Sequence, residues 1–111
     1  MAMTERHFAP GEIIYREGDK SDFAYFIKQG RVEILKNEAD GVRQVTVMGE
    51  GEIFGEMGVV LDQPRSVTVR ALDEVAVRTV SRSSFLEAVG QQPETARSAL
   101  RSLLARLHQD G

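Results

Sequence analysis

Residues 54–69 read F-G-E-M-G-V-V-L-D-Q-P-R-S-V-T-V. Gly55 and Glu56 open a short apolar run of helical character. A Pro64-Arg65-Ser66 turn follows, and an alternating strand begins behind it. A turn rich in free backbone N–H groups, with an arginine beside it, suits one small phosphate. Glu56 would repel that anion unless its carboxylate had a separate task, such as accepting a sugar hydroxyl. An anion, a diol and an apolar wall together describe a nucleotide.

Outward from this stretch the chain reads as short strands punctuated by glycine. Glu12–Tyr15 is a first strand, and Phe23–Lys28 is joined through Gln29-Gly30 to Arg31–Lys36. Val32 and Ile34 alternate there with Arg31, Glu33 and Lys36, the pattern of a half-buried strand. Asp40-Gly41 is the strongest hairpin signal and leads into Val42–Met48. Ser66–Ala71 and Glu74–Val80 complete the set. Short strands at this spacing predict a mainly β fold, a β-roll (double-stranded jelly roll), over about residues 11–80. Ser81 is placed to cap a helix carrying Phe85, Leu86 and Val89, which Gly90 ends. Pro93 starts a second helix whose Ala96, Leu100, Leu103, Leu104 and Leu107 form one stripe. The two C-terminal helices thus span about 81–108, within one domain covering 1–111. The first seven residues and the last three read as loose ends.

The totals narrow the function classes. A chain of 111 residues with 41% apolar content is one globular domain. It has no cysteine, which excludes disulfides and thiolate metal sites. No apolar run of about 18 residues and no signal-like N-terminus is present, so a soluble, cytoplasmic protein with no membrane segment is expected. The net charge is −3 and the basic residues are scattered, which argues against nucleic acid as a partner. His7 and His108 lie near opposite ends, so no histidine cluster is expected to bind metal. The serines lack a nearby histidine to activate them. Catalytic residues, metal and cofactor are therefore all expected to be none, and the protein is not expected to be an enzyme.

The cassette resembles that of the cyclic nucleotide-binding domain family, found in catabolite-activator-type regulators, protein kinase regulatory subunits and nucleotide-gated channels. The family pattern is F-G-E-(apolar)-(Ala/Gly)-(apolar)-(apolar), a few variable residues, then P-R-(small)-A-(Thr/Ser)-V. F-G-E-M-G-V-V, L-D-Q and P-R-S-V-T-V match it without a gap, and the upstream F-A-P-G-E-I-I-Y-R-E-G-D and F-I-K-Q-G-R-V-E-I-L resemble the family's opening strands. The resemblance covers about residues 8–108. It implies that Arg65 pairs with the charged phosphate oxygen, with Ser66 and the backbone N–H groups of Gly55, Met57 and Gly58 completing the cradle. It implies that Glu56, beside Gly55, accepts the ribose 2′-hydroxyl. Ile34 and Val45 wall in the base, and the helix from Pro93 is a lid with Leu100 or Arg101 nearest the base. Serine at position 66, rather than the threonine common in cGMP binders, favours cAMP over cGMP. Val67 stands where most members carry alanine, and its methyl groups crowd the sugar–phosphate. That departure supports a rival reading, a nucleotide-free β-roll acting as a structural or protein-interaction module. The leucine stripe is a candidate contact for a homodimer or a separate effector domain. Arg65, assigned to an anion, is expected to be dispensable to the core, so that Arg65→Leu spares the fold.

Overall fold

A computed structural model describes residues 3–90. Eight strands and two helices follow in the order β1 (Met3–Phe8), β2 (Ile13–Tyr15), β3 (Phe23–Gln29), β4 (Val32–Glu38), β5 (Gly41–Met48), β6 (Ile53–Phe54), α1 (Glu56–Leu61), β7 (Thr68–Ala71), β8 (Val75–Ser81) and α2 (Arg82–Gly90). The strands form two four-stranded antiparallel sheets, ordered β1-β8-β3-β6 and β2-β7-β4-β5. This is the mainly β roll that the alternation predicts. Asp40-Gly41 closes the β4–β5 hairpin, with Glu38 opposite Gly41. Between the sheets lie Phe8, Tyr15, Tyr25, Ile27, Val32, Ile34, Phe54, Val69, Ala71, Val75 and Val77. Full burial of each larger apolar side chain contributes roughly 1.5–3 kcal/mol relative to exposure, so this layer carries the fold.

Three local readings change. Residues 3–7 are not loose: they belong to β1, which pairs with β8 along its length, from Met3 opposite Val80 to Phe8 opposite Val75. Only Phe8 of that strand is buried, so the backbone ladder rather than an apolar pattern holds it. A two-residue strand, β6, sets Phe54 opposite Tyr25 and was too short to show a period. Glu33, assigned to a solvated face, is buried on β4. Arg70 donates to it from Nε at 2.9 Å and Gln44 from Nε2 at 3.1 Å. The hydrogen bond from the guanidinium chiefly holds its carboxyl below the usual range.

Ser81 performs the capping expected of it, its Oγ accepting the backbone N–H of Ser84 at 3.2 Å. The helix expected from Pro93, with Leu100 and Arg101, lies outside the described residues. Among those described, no helix is long and apolar enough to cross a membrane.

Candidate functional site

The crossing from β6 to β7 carries the cassette, and its first residue fixes the geometry. Gly55 has φ 78°, in the left-handed region, and turns the chain from β6 into α1. A Cβ there would stand 2.9 Å from Arg65 Nη1, so the position excludes a side chain twice over. α1 then brings Glu56, 3% exposed, to the wall of a cavity of about 480 Å³. That volume falls in the range of small-molecule sites. Ile34 from β4 and Val45 from β5 line its apolar side, while Gly55, Glu56, Ser66 and Val67 line its cassette side. A smaller pocket of about 70 Å³ shares Gly55, Ser66 and Val67 and is bounded also by Met57, Gly58 and Arg65. The residues named from sequence for phosphate, ribose and base therefore meet around two adjoining spaces. Leu100 and Arg101, expected as lid residues, lie outside the described residues.

Arg65, expected to be dispensable to the core, is part of it. It is 6% exposed, and its guanidinium is built into the roll. Nη1 donates to the Gly55 carbonyl at 2.5 Å and Nη2 to the Phe23 carbonyl at 2.5 Å. Its Cζ sits 4.1 Å from the centroid of the Tyr15 ring. The backbone is gripped as well: Arg65 N donates to Asp19 O and Gly18 N donates to Arg65 O, each at 2.8 Å. The buried Nε–H has no protein partner. The expectation that the core is indifferent to Arg65 is thereby corrected, because this side chain ties the cassette to β3.

Gly58 serves packing as much as a cradle. A Cβ on it would come within 2.1 Å of Ser21 Oγ and 2.8 Å of Ser21 Cβ. Ser21 cannot simply swing aside, because its Oγ donates to the Gln63 carbonyl at 2.5 Å. Gly58→Ala is expected to destabilise the fold by about 1–3 kcal/mol through overpacking. Adding Ser21→Gly should recover part of that loss in a thermal melt. Strictly additive losses would show that the two positions do not compete for one space.

Two lining residues escaped the sequence reading. Tyr15 borders both spaces, and Lys36 borders the larger one. Lys36 Nζ donates to the Ser66 carbonyl at 2.7 Å and lies 3.6 Å from Glu17. The signal was present, since Lys36 shares the parity of Val32 and Ile34, and its charge was read as solvent-facing. Val67 is partly buried, packs against the core and lines both spaces. Among the described residues no group of three His, Cys, Asp or Glu could hold a metal ion.

Known proteins of one family resemble this chain. The family model for the cyclic nucleotide-binding domain matches residues 5–92. A cAMP-dependent protein kinase regulatory subunit of Debaryomyces hansenii is 33% identical over 97 residues, 87% of this chain and 21% of that protein. The chain thus spans about a fifth of that relative's length. Among solved structures, the EAL enzyme Bd1971 in its cAMP-bound form has a TM-score of 0.85 at 38% identity, covering 96% of this chain and 29% of that one. Its cGMP-bound form has a TM-score of 0.87 at the same identity, covering 94% and 28%. The catabolite activator protein of Thermus thermophilus has a TM-score of 0.82 at 25% identity, covering 96% and 51%.

Proposed function

The chain belongs to the cyclic nucleotide-binding domain family, and from that membership we propose that it captures a cyclic nucleotide, cAMP in preference to cGMP, as the sensing part of a regulatory protein. One observation carries the reading. Arg65 borders the small pocket and keeps a buried Nε–H without a protein partner, next to an apolar chamber of nucleotide-accommodating size. An orphaned buried donor costs about 1–3 kcal/mol, which an anionic oxygen would offset with a charge-assisted bond. Glu56 accepts the ribose hydroxyl, and Ser66 with the backbone of Gly55, Met57 and Gly58 completes the phosphate contacts. Ile34 and Val45 hold the base.

Serine at position 66 supports the preference for cAMP, because without threonine's γ-methyl its hydroxyl is less restricted about χ1 and is less firmly presented to a guanine. Binding acts by population shift: the ligand favours the state in which the expected lid, with Leu100 or Arg101 nearest the base, is closed, by as much as it binds that state better. The controlled output belongs to whatever effector this domain is coupled to, in the same chain or in a partner.

The test is the melting temperature of ligand-free protein with cAMP and with cGMP. Ligand at a hundred times its Kd adds about 2.7 kcal/mol, on the order of ten degrees for a domain of this size. A larger shift with cAMP at matched concentration is expected. No shift with either nucleotide would overturn the reading in favour of an interaction module.

A further inference from the structure

A ring contact to Arg65 comes from outside the cassette. Tyr15 ends β2, is 8% exposed, and belongs to an aromatic group with Tyr25 at 5.8 Å and Phe54 at 6.1 Å between ring centroids. Tyr25 and Phe54 are themselves stacked, 5.0 Å apart with their planes 5° from parallel. The ring that meets the guanidinium is therefore itself fixed by two others. Burial pushes the Tyr15 hydroxyl far above the ordinary phenol range, so it is neutral throughout the physiological range.

The guanidinium is constrained in two independent ways. In its plane, the Gly55 and Phe23 carbonyls take Nη1 and Nη2. Over the Tyr15 ring, Cζ stands 4.1 Å from the centroid, close enough for cation–π attraction, while Tyr25 is farther at 5.8 Å. A planar cation held by two bonds can still tilt about the line joining them, and a ring packed on its Cζ opposes that tilt. What the tilt would misdirect is the remaining Nε–H.

We propose that Tyr15 is a positioning residue for the phosphate site: its ring face fixes the plane of Arg65 and thereby sets how strongly the site prefers a cyclic nucleotide over the corresponding nucleoside. The assignment rests on the nucleotide-binding reading given above. Loss of the ring should weaken cyclic nucleotide binding more than nucleoside binding, because Tyr15 borders the chamber for either ligand but Arg65 has no bond to make with a nucleoside. A Tyr15 that merely fills core would act on both ligands alike.

The experiment compares wild type, Tyr15→Phe and Tyr15→Leu, titrated with cAMP and with adenosine, each variant first shown to be folded by circular dichroism. Tyr15→Leu is expected to lose about tenfold more affinity for cAMP than for adenosine. Tyr15→Phe, which keeps the ring face, should hold both within about twofold. Should the leucine variant melt below the assay temperature, Tyr15→Met takes its place with the same expectation. Proportional losses for both ligands, no loss for either, or a loss in Tyr15→Phe equal to that in Tyr15→Leu would overturn the assignment. A folded wild type that binds adenosine but gains nothing from the phosphate, or binds neither ligand, overturns the nucleotide reading itself and this assignment with it.

Discussion

Replacing Arg65 by leucine is expected to weaken cyclic nucleotide binding by roughly 1.5–3 kcal/mol or more, about tenfold to 150-fold, because a charge-assisted bond to the phosphate is lost. The same change is expected to lower the melting temperature of the empty protein. Leucine cannot donate to the Gly55 and Phe23 carbonyls, which the guanidinium satisfies from a buried position. Each such charged hydrogen bond contributes about 1.5–3 kcal/mol, and removing the orphaned Nε–H returns about 1–3 kcal/mol. The remainder, on the order of 2–3 kcal/mol, corresponds to ten degrees or more for a domain of this size. Arg65→Lys separates the two effects. It keeps a cation but presents one compact ammonium that cannot match the planar fork. Calorimetry on both variants, below their melting temperatures, reads the binding term. Undiminished affinity in Arg65→Leu would remove Arg65 from the phosphate site. An unchanged melting temperature would show that its bonds to the roll contribute nothing.

How much of this was legible in the sequence follows from the kind of signal each feature leaves. The strands that pack one face inward alternate visibly, and β3, β4, β5, β7 and β8 fall within a residue or two of the expected bounds. β1 left no such mark, because its side chains Met3 to His7 are exposed and its hold on β8 is made by backbone groups. Glu33 reads as solvent-facing because burial of a carboxylate depends on Arg70, which is 37 residues away along the chain. The cassette residues were legible as a constellation, since Gly55, Glu56, Arg65 and Ser66 lie close together in sequence. What could not be read was the other side of each contact. Phe23 and Gly55 supply carbonyls to Arg65, and a carbonyl carries no residue signature. Tyr15 reached the site only through the pairing of β2 with β7, which sets Tyr15 opposite Val69. The glycine at position 58 illustrates the limit well: the pattern names it as part of a cradle, and its closeness to Ser21 exists only once α1 is folded against the turn before β3.

Glu56→Gln is expected to weaken binding of the ribonucleotide by about 1.5–3 kcal/mol while leaving the fold in place, because glutamine keeps the shape of the side chain and loses the charged acceptor. Loss of affinity alone would not identify the contact. Glu56 is buried in the first turn of α1, where an acid also interacts favourably with the helix end, so a substitution can act on the cassette rather than on the ligand. The 2′-deoxy analogue of cAMP removes the hydroxyl from the other side and closes a thermodynamic cycle. If the carboxylate accepts the 2′-hydroxyl, wild type should bind the deoxy analogue less tightly than cAMP, and Glu56→Gln should discriminate much less between them. A residue that only shapes the cassette should lower both affinities by the same factor and leave discrimination intact. That second outcome would move the ribose contact to another wall of the chamber, and Lys36 and Ser66 would be the side chains to substitute next, since both line it and both can donate to a sugar oxygen.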